Sequence, residues 1–241
     1  MYDMQPQLPP ITPTVRTLLV VLVVFFLGQT AAEGLLGIPL TQWAALFPGV
    51  HVELAWQWAT YWLVAVISQP GDVFWHLVSL FAIYWVLSMF EAEHGRRRLL
   101  GLMALGVIGG AIPTMILGAI VPTLFGATAG PSVLVMAWLG AFAALRPDAR
   151  VGLMIVALPP ISPWTMVGFT LVLSALQAAW THNAAGLVSA LGATAGGIVF
   201  ARIVTRRRVA KPTTPKKRNG RPNLTVIEGG AQSDDKPRWL N

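Results

Sequence analysis

Six apolar runs, each about as long as a membrane-crossing helix, occupy most of the chain between residues 14 and 204. A helix needs ~20 apolar residues to cross ~30 Å of hydrocarbon. Only 11% of the residues are charged, whereas about a quarter are charged in a soluble domain. The sequence therefore predicts an all-α integral membrane protein with a bundle of six transmembrane helices. The predicted spans are residues 14–36, 72–90, 99–121, 127–145, 163–180 and 184–204.

A seventh apolar stretch, residues 55–67, has only 13 residues before a polar turn that contains Pro70 and Gly71. That length suits an interfacial or re-entrant segment better than a span. Three Trp and one Tyr lie in it, and such amphipathic rings favour the headgroup region. We therefore expect an interfacial loop segment between spans 1 and 2.

The basic residues support this choice of spans. If the N-terminus is cytoplasmic, all 17 Lys and Arg residues lie in inner segments or at inner span ends, and the outer stretches 37–71, 122–126 and 181–183 hold none. Counting residues 55–67 as a span would scatter the Arg clusters onto both sides, which the positive-inside rule disfavours. We expect both termini in the cytoplasm, with the bundle in a bacterial inner membrane.

Outside the predicted membrane domain, residues 14–208, lie a short cytoplasmic N-terminus, residues 1–13, and a tail, residues 209–241. The tail is rich in Pro, Lys, Arg and Gly, so it cannot bury enough apolar surface to fold alone. It is predicted to be a disordered basic segment, either solvated or resting on anionic lipid. The basic clusters flank apolar runs, which is typical of orientation signals and not of a nucleic-acid interface.

The polar residues inside the spans limit the possible chemistry. No charged residue lies near the middle of a span, which disfavours an ion-coupled carrier, and there is no Cys for thiolate chemistry. No metal or cofactor is expected. Counted at ~1.5 Å per residue from the next inner Arg, Ser132 lies roughly 21 Å, Ser189 roughly 25 Å and His76 roughly 30 Å above the inner face. The three side chains can therefore line one hollow that opens to the outside.

Several motifs appear along the chain in a characteristic order. The main ones are Pro9–Pro13 before span 1, Trp56-Gln57-x-x-Thr60-Tyr61, His76 followed by Glu91-x-x-x-Gly95, Gly130-Pro131-Ser132 followed by Leu139-Gly140-Ala141-Phe142, and Ser189-x-x-Gly192-x-x-x-Gly196. In order, spacing and topology, residues 10–208 resemble the six-span rhomboid intramembrane serine proteases.

The resemblance implies roles for individual positions. In that family a Ser of span 4 is the nucleophile and a His of span 6 is its general base. The His of span 2 and an Asn four residues later hold the oxyanion. Carried over by position, Ser132 is the nucleophile and His76 the oxyanion His, but Ser189 replaces the base and Leu80 replaces the Asn. Gly130, Gly192 and Gly196 are assigned to helix packing, since small residues let helices approach closely.

Two other alignments of the site are possible. Thr128, within Gly126-Ala127-Thr128, could take the nucleophile position, but Ser132 keeps the following Leu139–Phe142 segment in family spacing. His182 could be the base, but it lies farther out and lacks the Gly residues at the third and seventh positions after it. We therefore prefer Ser132 and Ser189.

The replacements suggest that the site has lost its activity. A Ser hydroxyl is a poor nucleophile without a base, and Ser189 has no pKa near neutrality. Leu80 donates no hydrogen bond, and losing one oxyanion donor typically costs about 10²–10³-fold in rate. The preferred hypothesis is a rhomboid pseudoprotease that binds membrane lipids and the transmembrane segments of client proteins. The alternatives are an active protease that uses Ser132 and, less favoured, a small-solute carrier.

Overall fold

The computed structural model describes residues 9–47, 56–66, 70–151 and 161–209. The predicted cytoplasmic tail, apart from Val209, lies outside the described residues, as do most of residues 1–13. Within the described ranges the chain forms helices and no strand, and the β-type pairs found there are two isolated bridges. The helices are α1 (Pro13–Leu36), α2 (Leu40–Ala44), α3 (Gln57–Thr60), α4 (Pro70–His94), α5 (Arg96–Ile120), a 3-10 turn (Pro122–Leu124), α6 (Ser132–Leu145), α7 (Pro163–Thr181) and α8 (Ala185–Val209).

The all-helical prediction is therefore confirmed for this part of the chain. Four of the described helices, α1, α4, α5 and α8, are long and apolar enough to cross a membrane. Helix α6 is apolar but has only 14 residues, about 21 Å at 1.5 Å per residue. The described part of the seventh apolar stretch contains α3 and a turn, and no spanning helix.

Helix α6 begins later than the sequence predicts. The predicted span starts at residue 127, whereas the helix starts at Ser132. Gly130 has a φ of +122°. Glycine adopts this backbone conformation readily, whereas it is strained for residues that have a Cβ. Pro131 follows it and favours the start of a helix. Residues 125–130 therefore form a non-helical loop that leads into α6, here called the 125–130 loop.

Glycines hold α8 against its two neighbours. An added Cβ at Gly192 would lie 2.1 Å from the Gly109 carbonyl oxygen of α5, and one at Gly196 would lie 2.3 Å from that of Leu105. On the other face, a Cβ at Gly197 would lie 1.9 Å from the Ala137 carbonyl oxygen of α6. Here helices meet backbone to backbone, so no larger residue fits. We call this contact the glycine seam; it comprises Gly109, Gly140, Gly192, Gly196 and Gly197.

The connection between α1 and α4 is attached through two buried glutamines. The Gln29 side chain of α1 exchanges two hydrogen bonds with the Ala65 backbone, at 2.7 and 3.1 Å, and donates another to Thr41. The Gln57 amide accepts from the Phe47 N–H. Buried amides of this kind need partners, and here the loop backbone supplies them. The segment 56–66 is thereby fixed beside α1 and α5.

A second set of polar contacts joins α1 and α6 to the C-terminal end of α4. Glu91 accepts hydrogen bonds from the Thr12 and Thr14 hydroxyls and, at 3.3 Å, from the Val15 N–H. This carboxylate therefore caps the start of α1, where N–H groups lack helical partners. Two residues further on, Glu93 forms an ion pair with Arg146, just beyond the end of α6.

Candidate functional site

Ser132 is the first residue of α6, and its side chain is exposed. Within the described part of the chain its hydroxyl makes no hydrogen bond. The preceding turn is fixed because the Gly130 N–H donates to the Tyr61 carbonyl at 2.9 Å. A Cβ at Gly130 would have only the Ser132 hydroxyl nearby, at 4.0 Å. The need for glycine there therefore comes from its positive φ and not from close helix packing.

Ser189 lies in a different setting, because its side chain is buried. An ideal Cβ built on Gly110 of α5 would lie 2.9 Å from the Ser189 hydroxyl oxygen, 2.6 Å from that of Tyr61 and 2.9 Å from a methyl carbon of Val133. These three groups therefore surround the position where Gly110 lacks a side chain. The residue that α6 presents to this point is Val133, the neighbour of Ser132.

The Tyr61 hydroxyl lies beside that of Ser189. It donates to the Val107 carbonyl at 2.9 Å, and the Tyr61 and Ser189 hydroxyl oxygens lie 2.6 and 2.9 Å from the same Cβ position on Gly110. The residue at the predicted base position therefore faces the segment between α1 and α4. Sequence analysis noted Tyr61 as part of a motif without assigning it this contact.

His76 and Leu80 of α4 complete the set of predicted site residues. The His76 ring is buried and stacks on Phe26 of α1, with 4.7 Å between the ring centroids. Its Nε2 atom has no hydrogen-bond partner among the described residues. Leu80 is buried in the hydrophobic core. The ring partner of His76 therefore belongs to α1 and not to α6.

The 125–130 loop, which leads into Ser132, is held by a residue that sequence reasoning missed. Asn183, in the turn between α7 and α8, accepts from the Gly126 N–H at 2.9 Å and donates to the Ala127 carbonyl at 3.2 Å. Across the loop, the Thr128 backbone pairs with Leu46 through two hydrogen bonds of 2.9 Å. A lone Asn after a span gives no sequence signal of this role, since its partners are distant backbone groups.

The two alternative residues also have defined positions. Thr128, the alternative nucleophile, is buried and lies at the bridge to Leu46. His182, the alternative base, is exposed and ends α7 with φ 52°. In the described ranges no three His, Asp or Glu side chains cluster closely enough to hold a metal ion. In the same ranges, no acid or base is hydrogen-bonded to Ser132.

Four apolar helices of spanning length, two of which (α5 and α8) pack together through glycines, define the class of this protein as a polytopic helical membrane protein. Within that class, the rhomboid domain family model matches residues 55–207. The chain therefore belongs to the rhomboid family, as the order of its motifs predicts. No curated protein matches the sequence.

Proposed function

We propose that this rhomboid is a pseudoprotease, which binds the transmembrane segments of other proteins without cleaving them. The observation that carries the proposal is the environment of Ser189. The residue at the predicted base position is a buried hydroxyl that lies beside the Tyr61 hydroxyl, and Val133 approaches the same point on Gly110. A hydroxyl cannot take the proton of a nucleophile near neutral pH. Ser132 therefore has no base at the position where the family keeps one.

The oxyanion position supports the same proposal. Leu80 is part of the hydrophobic core, so it contributes packing and no hydrogen-bond donor. His76 is stacked on Phe26. A developing oxyanion needs donors about 3 Å away, and α4 offers it no side-chain donor at residue 80. Both the base and this donor are missing, and both are needed when the nucleophile attacks and the tetrahedral intermediate forms.

Helix α7 is the surface that best suits a client helix. Its C-terminal three turns expose Phe169, Val172, Leu176 and Trp180, and its described buried residues are Pro163 and Val167 near its start. Helix association in lipid depends on van der Waals packing of such faces. A photo-crosslinker at Leu176 should capture single-span proteins. One at Ile203, exposed on α8, is the control, and equal capture at both positions would argue against α7 as the binding face.

Labelling by a fluorophosphonate tests the loss of activity directly. Purified wild-type protein should show no labelling above the Ser132→Ala variant, because Ser132 lacks a base. An active rhomboid related to this protein should be labelled in the same detergent as a positive control. Labelling of the wild type that disappears in Ser132→Ala would overturn the pseudoprotease proposal.

One observation favours the active alternative. The Ser132 hydroxyl is exposed at the start of α6 and has no hydrogen bond to any described residue, so a reagent can reach it. Proteolysis through Ser132 would then need a bound water or a distant group as the base. A single-span substrate incubated with the protein in liposomes should stay intact on the pseudoprotease proposal, and cleavage that requires Ser132 would support the alternative.

The proposal includes the predicted topology of six spans with both termini in the cytoplasm. It is supported by the distribution of the 17 basic residues in the sequence. Reporter fusions at Asn219 and Pro48 should give cytoplasmic and external signals, respectively. The same signal from both fusions would exclude this topology.

A further inference from the structure

An apolar groove of about 290 Å³ lies where the segment 56–66 meets the outward face of α5. One wall comes from Trp58 and Trp62, and Trp58 is 40% exposed. The rest is formed by Ala59 and by a row of four α5 residues, Met103, Ala104, Val107 and Ile108. Almost no polar surface lines the groove. A groove like this on a membrane-spanning helix opens towards hydrocarbon and not towards water.

The same face of α5 extends to the N-terminal end of the helix, where its arginines lie. Residues three, four, seven and eleven positions apart share one face of an α-helix. By this rule Arg96, Arg97 and Leu100 lie on the stripe of the four groove residues. All three are exposed. Arg98 lies elsewhere on the helix, three residues before Gly101, which packs against Phe200 of α8.

The length of this stripe matches one leaflet of a bilayer. Arg97 and Ile108 are 11 residues apart in α5, about 16 Å at 1.5 Å per residue. Half of a ~30 Å hydrocarbon core is about 15 Å. A lipid whose headgroup lies at Arg96 and Arg97 would therefore place the end of an acyl chain beside Trp58 and Ile108.

We propose that this face of α5 is a binding site for one anionic phospholipid from the leaflet that faces the arginines. The phosphate and the acidic headgroup pair with Arg96 and Arg97, and one acyl chain fills the groove under Trp58 and Trp62. Charge complementarity selects the headgroup. The occupant is a lipid because the groove and the arginines together supply an apolar and a basic contact at leaflet spacing. A client helix would need only the apolar contact and would make no use of the arginines.

Native mass spectrometry of the full-length protein in detergent can test the site. The probes are phosphatidylglycerol and phosphatidylcholine with identical acyl chains, titrated separately. We expect tighter binding of phosphatidylglycerol. The double variant Arg96→Gln, Arg97→Gln should lose most of that preference, roughly fivefold for each arginine. Arg98→Gln is the matched control and should keep it.

The groove is tested with two exposed alanines of the same helix. Ala104→Phe fills the groove and should weaken both lipids, whereas Ala119→Phe, outside the groove, should weaken neither. If Ala104→Phe fails to fold, Trp58→Ala removes one wall and should weaken both lipids instead. Equal affinity for the two lipids, no effect of the double Arg variant, or equal effects at Ala104 and Ala119 would each overturn the proposal. So would a lipid-free dimer that Ala104→Phe dissociates.

Discussion

The glycine seam and helix α7 are both apolar, yet they are packed in opposite ways. At the seam, α8 meets α5 and α6 so closely that an added Cβ on any of its glycines would lie 1.9–2.6 Å from a carbonyl oxygen. Along α7, an added Cβ at Gly168 would meet nothing within 4 Å. An apolar composition therefore indicates only that a helix can lie in a membrane. Small residues at the contact positions determine which helices pack closely at the centre of the bundle. The centre is α5, α6 and α8, and α7 lies at its edge.

The largest effect should come from a side chain placed in the seam. Gly192→Leu must push α8 away from the Gly109 carbonyl and the Pro113 ring. Overpacking costs typically about 1–3 kcal/mol and occasionally more, and the contact with backbone here puts this variant at the high end. The melting temperature in detergent should fall by many degrees, if the variant folds at all. Gly168→Leu on α7 is the control, and it should melt like the wild type. Similar melting of both variants would remove the contrast between the two regions.

A smaller loss of stability should follow when the 125–130 loop is detached from the turn between α7 and α8. Asn183→Ala removes the hydrogen bonds to Gly126 and Ala127, and lost bonds of buried backbone groups cost about 1–3 kcal/mol. We expect a moderate fall in melting temperature and faster proteolysis within residues 122–130. Gln177→Ala, an exposed amide on α7, should change neither. Unaltered proteolysis in Asn183→Ala would mean that Leu46 and Tyr61 alone hold the loop.

Removing the contact between Tyr61 and Ser189 should lower the stability by less than either of these changes. Tyr61→Phe removes a hydroxyl that donates to Val107 and faces Ser189, a loss of about 1 kcal/mol. If the two hydroxyls are bonded, the stability losses of Tyr61→Phe and Ser189→Ala should not add in the double variant. Chemical denaturation of the four proteins in the cycle measures this. Strict additivity would show that the hydroxyls do not interact.

Restoring the family residues at positions 189 and 80 should have the smallest effect, a weak gain of fluorophosphonate labelling. Ser189→His puts an imidazole at the base position, but Tyr61 and Val133 already crowd that point, so we expect only weak fluorophosphonate labelling. Adding Leu80→Asn should increase it, because an oxyanion donor is restored. Ser132→Ala should abolish any gain. A folded Ser189→His, Leu80→Asn variant that never labels would indicate that Ser132 cannot reach the hollow.

The long helices could be predicted because their information is local. Runs of apolar residues and charged ends place α1, α4, α5 and α8 to within a few residues of where the structure has them. The start of α6 could not be predicted from apolarity. It depends on the backbone of Gly130 and on a hydrogen bond to Tyr61, which is 69 residues earlier in the chain.

In the candidate site, too, some features could be predicted from the sequence and others could not. The motif spacing identified Ser132, Ser189, His76 and Leu80 as positions to compare with the family. It carried no information on what each side chain touches. The sequence also assigned Gly192 to helix packing without indicating which helix it meets, and its nearest backbone belongs to α5. Which of two neighbours a helix face meets depends on the rotation of the helix, and apolar residues on every face leave that rotation open.

The capping of α1 by Glu91 has a consequence for synthesis of the chain. Val15 and Glu91 are 76 residues apart, and ribosomes add about 5–20 residues per second. The start of α1 is therefore made roughly 4–15 s before the carboxylate that caps it. Until then its N-terminal N–H groups need other partners, such as water. The contact that joins α1 to α4 can form only after residue 91 has been added to the chain.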